Sequence, residues 1–184
     1  MAKDSNSFVN RLLPILSPPL PPKEDDPYFA ALCRFIVSYA STEHEVHGLA
    51  RRLSRVTDVK GRVIFSGMRL GDLTERIRGL LRVTKASARI YDEVDACLRQ
   101  LGDIADERNK LVHRFVLSRK QQILVTNLPI AKSTASAEIE TLTLSDLESM
   151  DLDCLAIRLR LGRIHNRKSR LNLNREAVEW IHRP

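Results

Sequence analysis

Apolar residues recur every three or four positions over most of this chain, which is the spacing of helices that each bury one face. Four such stripes are visible, so four main helices are predicted. In chain order the stripes pass through Phe29, Leu32, Ile36, Tyr39, Val46, Ala50 and Leu53; Leu70, Leu73, Ile77 and Leu80; Ile90, Val94, Cys97, Leu101, Ile104, Leu111 and Phe115; and Leu147, Met150, Cys154, Ile157, Leu161 and Ile164. Helices with one apolar face pack into a bundle, so the predicted fold class is all-α.

The period changes between the third and fourth helices. Residues 121–126 and 137–143 depart from the helical spacing and include several β-branched residues, with loop-forming residues between the two stretches. This pattern predicts a small β-hairpin, at about 121–143, inserted between the third and fourth helices. The third helix is expected to reach about Leu117, and a capping box of Ser145 and Glu148 is expected to begin the fourth.

A chain of 184 residues is long enough for one well-buried domain. Five prolines within residues 1–26 predict a proline-rich, extended N-terminal arm. Asp26 and Pro27 then supply the acid and the proline that are typical of a helix start. We therefore expect the helical bundle at 27–170, with the hairpin inside it, and a C-terminal tail with little helix at 171–184.

The charge is unevenly distributed. The formal net charge is +7, and residues 51–90 alone hold eleven Lys and Arg against three Asp and Glu. Such an excess favours a polyanionic partner, and RNA contacts are expected from Arg69, Arg76 and Arg82. Solvated helix faces explain the same pattern equally well, so both interpretations stay open.

The three cysteines are far apart, and each lies within an apolar helical pattern. They are expected to be reduced core residues rather than disulfides or metal ligands. No apolar run has the length of a signal peptide or a membrane span, so a cytoplasmic protein without membrane contact is expected.

Two charged residues interrupt the apolar stripes. Arg108 occupies the step between Ile104 and Leu111, and Glu43 occupies the corresponding step of the first helix. A charge on a buried seam costs several kcal/mol unless it is paired. One interpretation is therefore an Arg108–Glu43 ion pair that fixes the helix register within a monomer.

A histidine follows this arginine five residues later. Asn109 and His113 share a helix face, whereas Arg108 and His113 are separated by about 140° of ideal rotation. A single helix cannot direct both at one atom. Two copies of the helix that cross at a two-fold axis would place arginine and histidine around a common cleft, so a homodimer is expected.

The stretch Arg108-Asn109-Lys110-Leu111-Val112-His113 resembles the R-N-x-x-x-H signature of HEPN domains (higher eukaryote and prokaryote nucleotide-binding). The resemblance implies a metal-independent endoribonuclease without a cofactor, in a toxin or defence setting, in which the ribose 2'-hydroxyl attacks the adjacent phosphate. It assigns proton transfer to His113, phosphate binding to Arg108, and orientation of His113 or of the phosphate to Asn109. Glu43 would orient the arginine. An antitoxin or a nucleotidyltransferase is the protein partner that the resemblance implies.

Some members of this family that pair with nucleotidyltransferases carry a tyrosine two residues after the histidine, where this chain has Phe115. Modification of a hydroxyl at that position is therefore excluded. Other members have the fold without activity, so a catalytically inactive RNA-binding or partner-binding scaffold is the alternative.

The first helix also contains His44-Glu45-Val46-His47, with two histidines one turn apart. This spacing differs from that of H-E-x-x-H, and no third ligand is indicated. We interpret these residues as surface side chains and expect no metal.

Overall fold

A computed structural model describes residues 26–113, 115–119, 122–127 and 139–181 of the chain. Its helices are α1 (Pro27–Ser54), α2 (Asp58–Phe65), α3 (Leu70–Val83), α4 (Ala88–His113) and α5 (Leu144–Ile181). Three short strands lie between α4 and α5, namely β1 (Phe115–Arg119), β2 (Gln122–Thr126) and β3 (Ile139–Thr143). The predicted all-α class with a small β insertion is confirmed. The predicted proline-rich arm lies outside the described residues, apart from Asp26.

The chain groups into two compact units. The first comprises Met1–Ile36 and Ala105–Asp151, and the second comprises Val37–Ile104 and Leu152–Pro184. Three helices, α1, α4 and α5, contribute residues to both units. The prediction of one bundle over 27–170 stays a prediction.

The strands of the first unit form an antiparallel sheet in the order β1-β2-β3. Phe115 faces Thr126 across the first pair of strands, and Thr126 faces Ile139 across the second. The predicted hairpin corresponds to β2 and β3, but the extension of the third helix to Leu117 was wrong. Phe115 continues the helical spacing by coincidence, while the run from Phe115 to Leu117 has the aromatic and β-branched character that favours pairing with β2.

Helix α5 begins with a capping box, two residues earlier than predicted. The Asp146 carboxylate accepts hydrogen bonds from the backbone N–H and the hydroxyl of Thr143, both at 2.8 Å. The Thr143 hydroxyl oxygen also accepts from the Asp146 N–H at 3.2 Å. The predicted box of Ser145 and Glu148 was therefore wrong, because the helix already starts at Leu144.

The buried seam of α1 differs from the predicted stripe in its first half. Ala31 and Phe35 are buried, while Phe29 is 47% exposed. Further along, Thr42 rather than Glu43 occupies the buried step between Tyr39 and Val46. A threonine fits there because its hydroxyl donates to a carbonyl of the preceding turn, Ser38 O, at 2.7 Å.

The other seams follow most of their predicted stripes, but on α3 Leu81 is buried, while the predicted Leu70 and Leu80 are half-buried. Besides the buried residues of α1, the core of the second unit contains residues of three further helices: Leu73, Ile77 and Leu81 of α3; Val94, Cys97 and Leu101 of α4; and Cys154, Ile157 and Leu161 of α5. Cys97 and Cys154 are buried free thiols, as expected. Cys33 is exposed, so its prediction as a core residue was wrong, since it lies off the seam of Ala31 and Phe35.

Two helical segments were missed. Helix α2 spans Asp58–Phe65, a stretch that contains none of the four predicted apolar stripes, and its N-cap Thr57 accepts a hydrogen bond from Lys60 N. Helix α5 continues to Ile181, beyond the helix end expected near Arg170. None of the helices in the described part of the chain carries an apolar stretch of the length needed to cross a bilayer.

Gly61 and Gly79 give opposite predictions for Gly→Ala substitution. A Cβ at Gly61 would lie 2.9 Å from Arg51 Cγ, whereas one at Gly79 meets nothing within 4 Å. Alanine stabilises an unobstructed helix interior, so Gly79→Ala should raise the free energy of unfolding by about 0.5–1 kcal/mol. Gly61→Ala should give no such gain in urea unfolding. Equal stabilisation by both changes would contradict the close packing of α2 on Arg51.

Acidification tests the capping box of α5. Hydrogen bonds from the backbone and hydroxyl of Thr143 hold the pKa of Asp146 below its ordinary value of 3.8. A carboxylate whose pKa is lowered by folding stabilises the folded chain at pH values above its ordinary pKa of 3.8. This stabilisation is lost as the pH falls through the folded-state pKa. Asp146→Asn should therefore cost about 0.5 kcal/mol at pH 7 and progressively less below pH 3.8.

The control for this measurement is Ser145→Ala, because Ser145 belongs to the wrongly predicted box and is exposed. Urea unfolding at pH 7 should leave its stability close to that of the parent chain. A larger loss for Ser145→Ala than for Asp146→Asn would show that the helix begins with the other box.

Candidate functional site

Arg108, the first residue of the 108–113 motif, has the inner part of its side chain buried. Arg108 is half-buried, and its Nε is shielded from solvent. Its Nη1 donates to Asn109 Oδ1 at 3.1 Å in an exposed hydrogen bond. The guanidinium therefore extends from the buried seam towards an exposed neighbour, which fits the predicted position of Arg108 and places its outer nitrogens near the surface.

His113 is the last residue of α4 and is exposed. Asn109 is also exposed and lies one turn earlier on the same helix face. In the described part of the chain Asn109 joins Arg108 by a hydrogen bond, but no such bond joins it to His113. The helix thus brings Arg108 and Asn109 together and leaves His113 accessible about 140° around the axis from Arg108.

Lys110 fixes the end of the helix that carries the motif. Its Nζ lies 2.8 Å from Glu107 Oε1 of the same helix and 3.0 Å from Glu140 of β3. The hydrogen bond to Glu107 has the largest effect in raising the pKa of Lys110 above its ordinary value, and the hydrogen bond to Glu140 adds to it. Leu111, 6% exposed, adds an apolar anchor. Helical spacing could have indicated Glu107, three residues away, as a partner of Lys110. It could not have indicated Glu140, which lies on β3.

Glu43 lies in the second unit, and Arg108 lies in the first. Glu43 is half-buried, and its Oε1 accepts from the hydroxyl of Tyr39, one turn earlier, at 3.3 Å. Its role as a residue that orients Arg108 stays a prediction, as does the Arg108–Glu43 ion pair.

The three arginines predicted to contact RNA do not all lie on one face of α3. Arg69 is the N-cap of the helix, and Arg76 follows seven residues later on nearly the same face; both are exposed. Arg82 lies about 120° away from Arg76. Its Nη2 donates to the hydroxyl of Tyr91 at 3.2 Å, with the guanidinium 5.9 Å from the ring centre. The helix therefore groups Arg69 with Arg76 but not with Arg82.

A further arginine of α3, Arg78, connects this helix to α4. Arg78 Nε donates to Asp95 of α4 at 2.7 Å, and the same guanidinium pairs with Glu75. Hydrogen bonds to Asp95 and Glu75 raise the pKa of Arg78. This arginine belongs to the basic run of the sequence, yet its charge is balanced within the second unit.

Comparison of the chain with protein-family models, with curated proteins and with solved structures gives no match. The described residues contain no group of three or more His, Cys, Asp or Glu side chains placed to hold a metal ion. The function is therefore argued from two local features, the motif at the end of α4 and the exposed arginines of α3.

Removal of the Lys110 ammonium tests its role in holding the end of α4. Lys110→Met should lower the free energy of unfolding by about 0.5–1 kcal/mol, because two partly exposed carboxylates lose their partner. The raised pKa of a lysine means that its contribution is fully present at neutral pH and is lost only at alkaline pH, as the pH rises through the folded-state value.

The matched control is Lys60→Met, since Lys60 is exposed on α2 and forms no ion pair within the described residues. Urea unfolding at pH 7 should detect the loss in Lys110→Met and little change in Lys60→Met. Equal values for the two variants would contradict the bridge.

Proposed function

We propose that this chain is a metal-independent endoribonuclease that acts as a homodimer in a toxin or defence setting. The observation that carries the proposal is the arrangement at the end of α4, where Arg108 extends to Asn109 and His113 is exposed. Arginine, asparagine and histidine together supply phosphate binding, hydrogen bonding and proton transfer without a metal.

The proposed reaction uses the ribose 2'-hydroxyl of RNA as the nucleophile. A histidine removes its proton, the 2'-oxygen forms a bond to the adjacent phosphorus, and the bond to the 5'-oxygen of the next nucleotide breaks. That leaving oxygen takes a proton, so the products are a 2',3'-cyclic phosphate and a 5'-hydroxyl. Arg108 stabilises the added negative charge of the transition state, and Asn109 holds the guanidinium in place.

The homodimer follows from helix geometry. The side chains of Arg108 and His113 leave α4 about 140° apart, so one helix presents them to different directions. A two-fold axis next to the end of α4 would bring Arg108 of one protomer beside His113 of its partner. It would also supply a second histidine, so that one acts as base and the other as acid.

A second candidate function is RNA binding without cleavage. The observation that favours it is the pair Arg69 and Arg76, which are exposed on one face of α3 and form no ion pair within the described residues. Exposed guanidinium groups on one helix face suit contacts to the phosphates of a nucleic acid. Binding of this kind is sequence-independent and sensitive to salt.

The nuclease proposal predicts cleavage of RNA in the presence of a chelator. His113→Ala should lower the rate by about 100- to 10,000-fold, because it removes the proton-transfer group. Arg108→Gln should lower it by about 100- to 1,000-fold through lost transition-state stabilisation. The readout is the cyclic phosphate end of the product, detected after incubation of purified protein with labelled RNA.

Val112→Ala is the control, because Val112 is an exposed neighbour in the same turn and has no assigned role. It should cleave as the parent chain does. Failure of the parent chain to cut any RNA, or an unchanged rate in His113→Ala, would overturn the proposal. Salt-sensitive binding without cleavage, lost in Arg69→Gln and Arg76→Gln but kept in His113→Ala, would establish the second candidate instead.

A further inference from the structure

A small basic cavity lies within the second unit, apart from the motif of α4. His44, His47 and Arg51 follow one another on one face of α1, and α2 lies against this face. The cavity has a volume of about 300 Å³. Its lining includes His44, His47 and Arg51 of α1 and Arg62 and Phe65 of α2.

The close approach of α2 depends on Gly61. This glycine is buried, and a Cβ in its place would lie 2.9 Å from Arg51 Cγ. Gly67, with φ of 74°, then turns the chain at the rim of the cavity in a conformation that favours glycine. Because α2 follows α1 after a short connection, both walls of the cavity come from one local segment of the chain.

Asp58 orients the two arginines from outside the lining. Its Oδ1 lies 3.6 Å from Arg51 Nε, and its Oδ2 lies 2.9 Å from both Nε and Nη2 of Arg62. One carboxylate thus holds two guanidinium groups, which leaves a net positive charge. Each guanidinium has five N–H donors, so donors remain on both arginines for a ligand.

The electrostatic environment of the cavity disfavours a cation. Burial lowers the pKa of His47, and the charges of Arg51 and His44 lower it further, against the opposite effect of Glu43. A metal ion would meet two arginines beside the two histidines. The residues of the lining that are described include no carboxylate, whereas they offer guanidinium and imidazole donors to an anion.

We propose that this cavity between α1 and α2 binds the phosphate group of a small phosphorylated molecule. Arg51 and Arg62 form charge-assisted hydrogen bonds to the phosphate oxygens, and His44 and His47 add imidazole donors. The volume is at the lower end of the range for ligand sites, enough for a phosphate and a group of sugar size. Phe65 supplies an apolar wall for that group. None of these residues belongs to the α4 motif, so the inference is independent of ribonuclease activity.

The test is isothermal titration calorimetry of the full chain with ribose 5-phosphate, inorganic phosphate and ribose. Ribose 5-phosphate should bind and ribose should not. Inorganic phosphate that binds as tightly as the ester would also support the proposal and would identify the phosphate alone as the group recognised. Absence of binding by both phosphate compounds at millimolar concentration would overturn it.

Arg62→Gln and His44→Gln should each weaken the binding, with a change in Kd of about 10- to 100-fold for the arginine, as expected for a hydrogen bond between charged groups. Both residues are exposed, so these changes spare the core, and thermal melting checks the fold. Arg89→Gln removes an equal charge from an exposed position outside the lining and is the control. Unchanged binding in both cavity variants, or equal weakening in Arg89→Gln, would overturn the site.

Discussion

A polar group on a buried helix seam has to be hydrogen-bonded, and this requirement shapes the long helices of the chain. Thr42 is fully buried on α1, and its hydroxyl lies 2.7 Å from Ser38 O and 3.2 Å from Cys154 O. The second contact ties α1 to α5 within the second unit. Had Glu43 occupied the same step, a carboxylate would have needed a buried cation. Instead Glu43 is half-buried and accepts a hydrogen bond from Tyr39, so the seam carries no charge.

The parts of the fold that could be predicted are those in which local spacing alone decides which residues are buried. Long helices with one apolar stripe were predicted because their period is set by backbone geometry, as the buried positions of α3, α4 and α5 show. The first half of α1 was harder, because apolar residues lie on more than one face and only packing selects Ala31 and Phe35 over Phe29. Strand β1 was missed because Phe115 fits a helical spacing, and the decision comes from pairing with Thr126 of β2.

The candidate site divides in a similar way. The shared face of Asn109 and His113 follows from helical spacing, so the sequence was sufficient to place them. The bridge from Lys110 to Glu140 joins residues thirty positions apart and depends on the sheet, which no local pattern reveals. Arg82 lies about 120° around α3 from Arg76 and contacts Tyr91, so it does not share the face of Arg69 and Arg76. Its contact with RNA stays a prediction. The cavity beside His44 was missed because α2 itself was not predicted.

Internal ion pairs change the meaning of the basic composition. Arg51, Arg52, Arg62 and Arg78 all belong to the basic run of residues 51–90, yet each lies close to a carboxylate of the second unit, namely Asp58, Glu45, Asp58 and Asp95. Asp58 is shared by Arg51 and Arg62, so one carboxylate balances two guanidinium groups and leaves a local positive charge at the cavity. Arg69 and Arg76 have no such partner among the described residues. Among the described residues, the cavity and one face of α3 are therefore two places where the positive charge is not fully balanced. An anionic ligand at either place gains from the charge of the protein.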